Sequence, residues 1–271
     1  MDALRLGPFV LSMARLSALL AIALALGIAE YLERKQQRPL TAWAWSAALW
    51  LLAGARLAFV LQHWSVYRYD LLSIAYIWQG GFAPWGGLLA LLGYSAWYFR
   101  SRRAELPAAG LVTLPGLALW LVLTQSSVVN PQELPAVSLE RYLADGSNST
   151  VSLALSSLVG QPLVINLWAS WCGPCRREMP MMARVAQERN EVQMLFVNQA
   201  ESLAQVQRYL YEERLELAWL LLDRQGQLAD AMQAVGLPTT LFVDAQGMVQ
   251  QRHVGEISEA ALQAAINRLL P

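Results

Sequence analysis

Four long apolar runs occupy the first 125 residues of the 271-residue chain, and they limit this half to one kind of architecture. A run of about 20 apolar residues lets a helix cross a bilayer. Inside lipid every backbone N–H and C=O needs a partner within the protein, which favours helices. The sequence therefore predicts an α-helical transmembrane bundle of about four spans in residues 1–125: Pro8–Leu32, Thr41–Leu61, Pro84–Phe99 and Pro107–Thr124.

Two segments of this half leave alternatives open. Leu71–Trp78 is too short to span alone, so we expect it to be re-entrant or interfacial. The first run has small residues near Ala25–Ala29 that would suit a signal peptidase. Because further spans follow, we favour a retained helix over a cleaved signal peptide.

The loop charges predict an orientation. Basic residues cluster between spans one and two and between spans three and four: Arg34, Lys35, Arg38, Arg100, Arg102 and Arg103. By the positive-inside rule both loops face the cytoplasm. Everything after Gln125 then lies outside the cytoplasm, which predicts a multi-pass membrane protein with its second half on the external side.

The charge balance changes between the halves. The first 125 residues hold ten Lys/Arg against five Asp/Glu, and the remainder holds ten against fifteen. An acidic external domain has no basic surface for nucleic acid, so we expect no nucleic-acid partner. Residues 126–146, which contain Pro131 and Pro135, are interpreted as a tether to a domain of residues 147–271.

The chain has only two cysteines, and they lie together in Trp171-Cys172-Gly173-Pro174-Cys175. An apolar, β-prone run, Pro162–Trp168, precedes them, and a stretch with helical spacing, Arg176–Asn190, follows. A strand, a C-x-x-C motif and a helix in this order are typical of a redox-active pair. Further alternation predicts an α/β domain, with strands at Val192–Asn198, Leu217–Leu222, Leu241–Val243 and Met248–Val254, and helices at Ser202–Arg214, Gln227–Val235 and from Ser258 to Leu270.

The position of the cysteines predicts their chemistry. Cys172 at the helix N-cap faces unpaired backbone N–H groups and the positive end of the helix dipole, which stabilise a thiolate. We therefore expect Cys172 to be the nucleophile and Cys175, one turn later, to be the resolving thiol. Gly173 and Pro174 keep the turn tight. The disulfide itself carries two electrons, so no other cofactor is expected.

Two other interpretations of the cysteine pair are weaker. Structural zinc takes four ligands, and the only histidines, His63 and His253, lie far away in sequence, so no metal site is expected. A purely structural disulfide closing a two-residue loop would stabilise little.

The second half resembles the thioredoxin fold, and more narrowly the membrane-anchored TlpA/ResA-like reductases. The resemblance rests on Asn166–Glu178, Val197-Asn198, Gly236-Leu237-Pro238-Thr239-Thr240 and Asp244–Gly247. It implies that Pro238 is a cis-proline beside the disulfide. It also implies that the substrate docks at Trp171, Gly173, Pro174, Leu237, Pro238 and Thr239, with the Leu237 backbone pairing to a substrate strand.

Glu178, three residues after Cys175, stands where this family has an acidic residue near the active site. The resemblance implies that it tunes Cys175 or moves its proton. The alternative is that Glu178 only favours the first turn of the helix. At Asn166 the sequence departs from thioredoxin itself, which has a buried aspartate there.

The first half resembles prolipoprotein diacylglyceryl transferase. The resemblance rests on Ala55–Leu61 and Ile77–Leu88. That family has a histidine where this chain has Trp85, so we expect a degenerate fold used as an anchor. Candidate lipid-contact residues are Arg56, Gly80, Gly81, Gly86 and Gly87; the alternatives are that Arg56 faces the bundle and that the glycine pairs permit close helix packing.

These observations and the resemblance to TlpA/ResA-like reductases predict a thiol-disulfide oxidoreductase that reduces protein disulfides. The resemblance implies that it is anchored in the bacterial inner membrane with its redox domain in the periplasm. Because the membrane half has no cysteine, the resemblance implies a DsbD/CcdA-like membrane thiol transporter as electron donor. Substrates left open are apocytochrome c in cytochrome c biogenesis, lipoprotein cysteines, other periplasmic disulfide proteins and a peroxidase. Two alternatives stay open as well: a lipid-modifying transferase with a redox domain, and a non-catalytic partner-binding module.

Overall fold

The computed structural model describes residues 3–6, 9–36, 39–126, 132–143 and 149–270. The chain forms two compact units, whose main bodies are Leu11–Val128 and Val129–Pro271. These units correspond to the apolar half and the acidic half of the sequence.

The first unit is helical. Its helices are α1 (Met13–Gln36), α2 (Thr41–Gln62), α3 (Trp64–Tyr67), α4 (Pro84–Tyr98) and α5 (Leu106–Ser126). A two-stranded sheet of β1 (Ala3–Leu6) and β2 (Phe9–Ser12) precedes them in sequence and lies mostly outside this unit. Among the described residues, three helical stretches are long and apolar enough to cross a membrane: Met13–Lys35, Thr41–Gln62 and Arg103–Thr124.

The third predicted span is α4, and it is shorter than the others. Its 15 residues extend about 22 Å at 1.5 Å per residue, which is less than the ~30 Å hydrocarbon core of a bilayer. Three of the four predicted spans therefore correspond to described helices that are long enough to cross a membrane, and the third predicted span does not. Leu71–Trp78 forms two 3₁₀ turns, Leu71–Ala75 and Ile77–Gln79. Arg38, used above for the orientation, lies outside the described residues.

Glycines allow α4 to pack closely along α2. A Cβ atom on Gly86 would lie 2.1 Å from Ala58 Cβ, and one on Gly54 would lie 2.4 Å from Ala90 Cβ. Both distances are shorter than real Cβ contacts. Close backbone approach through small residues is a common way for helices to associate in lipid.

The second unit contains a mixed eight-stranded sheet. Its strands are β3 (Gln132–Glu133), β4 (Ser138–Tyr142), β5 (Thr150–Ala154), β6 (Leu163–Trp168), β7 (Gln193–Gln199), β8 (Leu220–Asp223), β9 (Thr239–Val243) and β10 (Met248–Val254). Its helices are α6 (Gly173–Glu188), α7 (Leu203–Glu213), α8 (Gln227–Ala231) and α9 (Glu259–Leu269). The strand order is β3-β10-β9-β6-β7-β8-β4-β5.

The central strands explain the core. β6, β7 and β8 are parallel, while β9 runs antiparallel to β6. All six residues of β6 are buried, and alternate residues enter opposite layers. Val164 and Trp168 pack in a layer with residues of α6 and α9, whereas Leu163, Ile165 and Leu167 pack in a layer with Leu228 of α8. This is the thioredoxin-like α/β domain that the resemblance implied.

The elements from β6 to α9 match the sequence predictions, with ends displaced by a few residues, whereas β5 was not predicted. The predicted tether is different, because β3 and β4 lie inside residues 126–146 and belong to the sheet. The domain therefore begins before residue 147. The two short strands were missed because Pro135 and the polar neighbours of Leu139 hide their pattern. Residues 127–131 and 144–148 of this region lie outside the described residues.

Candidate active site

Cys172 is the N-cap residue of α6. Its backbone is extended, with φ −83° and ψ 108°, and its Sγ accepts a hydrogen bond from the Cys175 N–H at 3.3 Å. Pro174 lies in the first turn of the helix, where a missing N–H costs nothing. The helix therefore directs an N–H group and the positive end of its dipole at the Cys172 sulfur. This arrangement stabilises a Cys172 thiolate once the disulfide opens.

The two cysteines form a disulfide. Cys175 is fully buried, and Cys172 retains 5% of its surface. Only the Cys172 sulfur is therefore open to attack by another thiol. This difference in exposure favours Cys172 for the exchange with partners and Cys175 for the resolving step, as the sequence predicts.

Trp171, the residue before Cys172, is exposed to solvent. Its side chain is 70% exposed, although large apolar side chains elsewhere in this unit are mostly buried. An exposed tryptophan next to the reactive cysteine offers an apolar contact to a docking protein. Gly173 follows Cys172 and has no atom closer than 3.8 Å to an added Cβ.

The Leu237–Pro238 peptide bond is cis, the isomer that the resemblance implied. Thr239, the next residue, begins β9 and pairs in register with Leu167 of β6. Pro238 therefore lies next to the carboxyl end of β6, where the loop that carries the cysteines begins. Leu237 is partly buried against both core layers, and the Thr239 hydroxyl donates to the Gly236 carbonyl at 2.7 Å.

Glu178 is a buried carboxyl, with 3% of its surface exposed. Asn166 Nδ2 donates to its Oε1 and the Ile257 N–H donates to its Oε2, both at 2.9 Å. Burial raises the pKa of Glu178 to about 8, although the hydrogen bonds from Ile257 and Asn166 act in the opposite direction. Glu178 follows Cys175 by three residues, about one turn of α6.

The alternative role of Glu178, favouring the first turn of the helix, is not supported, because α6 begins at Gly173 and its first turn contains no acidic residue. An exposed carboxylate would serve the dipole equally well without the cost of burial. Asn166, where thioredoxin itself has an aspartate, supplies one of its partners and also donates to Thr240 Oγ1 at 3.1 Å. A neutral amide at this position avoids a second buried charge.

Glu201 belongs to the site and was missed in the sequence. It is 6% exposed. Its Oε2 accepts from the Ser170 N–H and from Asn198 Nδ2, both at 2.7 Å, and the Ser170 hydroxyl donates to its Oε1. The carboxylate thereby fixes the loop that leads to Cys172. The sheet topology could have indicated Glu201. β6 and β7 are parallel neighbours, so the residues that follow the two strands lie together beyond their carboxyl ends.

Arg56 in the helical unit faces the protein interior and is 7% exposed. Its guanidinium donates to four backbone carbonyls, those of Ser73, Ile74, Gly80 and Gly81, at 2.6–3.1 Å. It therefore pins the segment between α3 and α4 onto α2. Arg56 therefore faces the helix bundle, which was the alternative to a lipid contact.

The glycine pairs have different surroundings. Gly80 and Gly81 both have φ 82°, a backbone region that favours glycine, and both present their carbonyls to Arg56. Gly86 and Gly87 are buried against α2, where a Cβ on Gly87 would lie 2.6 Å from the Leu51 carbonyl oxygen. Of the two roles considered for Gly86 and Gly87, the structure supports helix packing.

Two protein families match separate parts of the chain. Residues 132–252 match the AhpC/TSA family, and residues 2–125 match the prolipoprotein diacylglyceryl transferase family. The two matches divide the chain where the structure divides it.

Individual relatives match the second unit. A thiol-disulfide oxidoreductase ResA of Geobacillus kaustophilus is 32% identical over 43% of this chain and 68% of its own length. A thiol:disulfide interchange protein DsbE of Pseudomonas fluorescens biotype C is 29% identical over 55% of this chain and 86% of its own. A solved thiol:disulfide interchange protein of Chlorobium tepidum is 25% identical, with a TM-score of 0.43 over 52% of this chain and 98% of its own.

Proposed function

Because this chain belongs to the thiol-disulfide oxidoreductase family that includes ResA, we propose that it reduces disulfides of periplasmic proteins from an inner-membrane anchor. The observation that carries the proposal is Cys172 at the N-cap of α6, with a buried resolving partner in Cys175. The family supports protein disulfides as the substrate class. The direction of electron flow, the location and the donor are the parts that we propose.

The reduced enzyme begins with a Cys172 thiolate and a Cys175 thiol. The Cys172 sulfur attacks one sulfur of the substrate disulfide, that bond breaks, and a mixed disulfide forms while the other substrate sulfur leaves as a thiolate. Cys175 loses its proton and attacks Cys172, which releases the second substrate sulfur. The enzyme ends as the disulfide seen in the structure, and the substrate has gained two electrons.

Glu178 is proposed to handle the proton of Cys175. When the enzyme disulfide is reduced by its donor, protonated Glu178 gives a proton to the departing Cys175 thiolate. When Cys175 later attacks the mixed disulfide, the Glu178 carboxylate takes the proton back. A pKa of Glu178 near 8 suits both steps close to neutral pH.

A reductase needs a supply of electrons. The chain has no cysteine besides Cys172 and Cys175, so its helical unit has no thiol relay. We propose that a membrane thiol transporter of the DsbD/CcdA kind reduces the Cys172–Cys175 disulfide. The Gly-Pro pair between the cysteines, which resembles that of thioredoxin at roughly −270 mV, supports a reducing direction.

The helical unit is proposed to be the anchor. Its three long apolar helices and its match to a membrane-enzyme family support a multi-pass membrane protein. Trp85 stands where that family has a histidine, which supports a fold that has lost transferase chemistry. Lipoproteins are the substrate class that the fusion favours first, since a tethered reductase would keep an acceptor cysteine reduced.

A mixed-disulfide trap tests these assignments in membranes. With Cys175→Ser, the first attack proceeds but resolution fails, so substrates remain bound to Cys172 through a disulfide that dithiothreitol releases. The matched control, Cys172→Ser, lacks the nucleophile and should trap nothing. A non-catalytic module would retain the same partners in both variants and after dithiothreitol treatment. Trapped proteins without any lipoprotein would refute the lipoprotein assignment, while leaving the reductase assignment intact.

A further inference from the structure

Residues 255–257, between β10 and α9, contact two separate parts of the active site. The Gly255 N–H donates to the Pro238 carbonyl at 2.9 Å. Two residues later, the Ile257 N–H donates to Glu178 Oε2, also at 2.9 Å. This short segment therefore links the cis-proline segment to the buried carboxyl beside Cys175.

The residue between these two contacts forms an ion pair with α6. Glu256 Oε2 accepts from Arg177 Nε at 2.9 Å and from Arg177 Nη2 at 2.6 Å. The Glu256 side chain is 7% exposed, whereas that of Arg177 is 57% exposed. The ion pair holds the segment against the first turns of α6, where Glu178 follows directly after Arg177.

Stability alone does not explain this arrangement. Burial of a carboxylate is costly, and a second carboxylate close by adds repulsion. The charge of Glu256 raises the pKa of Glu178, and that of Arg177 lowers it, both less than burial does. Titratable groups whose pKa is shifted by burial and by a specific charge nearby cluster at functional sites.

We propose that Arg177 and Glu256 are a positioning pair that holds residues 255–257 against Pro238 and Glu178 and thereby controls the charge of Glu178. The inference rests on the proposed role of Glu178 in the redox cycle. Glu178 accepts hydrogen bonds from Asn166 of β6 and from the Ile257 N–H before α9. Its charged neighbours are Arg177 of α6 and Glu256, and the disulfide lies at the start of α6. Two more residues bond to these neighbours: Thr240 of β9 accepts from Asn166, and a ring nitrogen of His253 of β10 bonds to the Glu256 carbonyl.

The two partners should have opposite effects when each is neutralised in the full chain in detergent micelles. Glu256→Gln keeps a hydrogen-bond acceptor for Arg177 but removes the neighbouring negative charge, so Glu178 should lose its proton at lower pH. Arg177→Gln removes the positive charge that lowers the pKa of Glu178, so Glu178 should keep its proton to higher pH. We expect shifts of about 0.5 to 1 pH unit in each direction.

Infrared spectroscopy measures this titration directly. A buried protonated carboxyl has a C=O stretch of its own, and loss of that band in Glu178→Gln assigns it. An ion pair between α6 and α9, Arg184 with Glu259, gives matched controls, so Arg184→Gln and Glu259→Gln should leave the midpoint of the Glu178 titration unchanged. The inference is overturned if the two test variants shift the midpoint in the same direction, or no further than the controls.

A kinetic measurement separates this inference from the proposed function. Dithiothreitol reduces the Cys172–Cys175 disulfide at a rate that is measured against pH and corrected for the fraction of dithiothreitol present as thiolate. In each variant the midpoint of this rate profile should move with the infrared midpoint of Glu178. If the infrared midpoints move apart and the rate profiles do not, the positioning pair is confirmed and the redox role of Glu178 is refuted.

Discussion

At the scale of single residues, the site depends on acidic groups that the protein removes from water. Glu178 and Glu201 are both buried, yet their partners differ. Glu178 accepts from a neutral amide and a backbone N–H, and burial raises its pKa to about 8. Glu201 accepts three hydrogen bonds from Ser170 and Asn198. One carboxyl is therefore suited to exchange a proton and the other to fix a loop.

The pKa of Glu178 predicts a pH dependence of stability. The pKa of Glu178 is 4.5 in the unfolded chain, and burial raises it to about 8 in the folded state. Between these values the folded state binds one more proton, so the free energy of unfolding falls as pH rises, by about 1.4 kcal/mol per pH unit from this group. Below pH 4.5 the contribution is fully present, and it is lost as pH rises through 8.

Glu178→Gln should remove this slope. The melting temperature of the oxidised full chain, measured between pH 5.5 and 8.5, should fall less in the variant than in the parent. Glu188→Gln, on the exposed side of the same helix, is the control and should behave as the parent does. Equal slopes in all three proteins would contradict the raised pKa.

Glu201→Gln should loosen the loop before Cys172. The new amide N–H₂ would face the Ser170 and Asn198 donors, leaving buried donors unpaired at a cost of about 1–3 kcal/mol. We expect faster hydrogen exchange at residues 169–172 and slower reduction of the disulfide. Glu212→Gln, on the exposed surface of α7, should change neither quantity; unchanged exchange in Glu201→Gln would refute its positioning role.

At the scale of secondary structure, the helical unit depends on close contact between α2 and α4. Gly86→Ala adds a methyl group 2.1 Å from Ala58 Cβ, so the helices must separate, and overpacking of this kind costs about 1–3 kcal/mol. The melting temperature of the full chain in detergent should fall. Gly93→Ala, in the same helix with nothing within 4 Å of the new methyl, should not lower it. Equal effects of both changes would mean that the glycines do not set the packing distance.

The sequence predicted most elements, and the failures have physical reasons. Apolar, β-prone runs predicted β6–β10, and helical spacing predicted α6–α9; Ser202 and Ser258, where two of the predicted helices begin, are N-caps in the structure. β3 was missed because two polar residues carry no periodicity. Glu178 was found through the resemblance, whereas its partner Ile257 could not be found, because a backbone donor 79 residues away leaves no sequence signal.

At the scale of the whole molecule, the account requires the redox unit to lie outside the cytoplasm. Alkaline phosphatase fused after Pro271 should therefore be active, because it folds only where its disulfides form. A fusion at Leu40, between α1 and α2, should be inactive and serves as the control. The reverse pattern would contradict the orientation that the loop charges predict.

The central claim is that the Cys172–Cys175 pair donates electrons to other proteins. Its most direct test is the reduction potential of the full chain in detergent, equilibrated with dithiothreitol and measured by thiol alkylation. A protein disulfide reductase should have a reduction potential of about −270 mV or lower, as thioredoxin has. A value near about −120 mV, where strong periplasmic oxidants lie, would contradict it and assign the chain to disulfide formation.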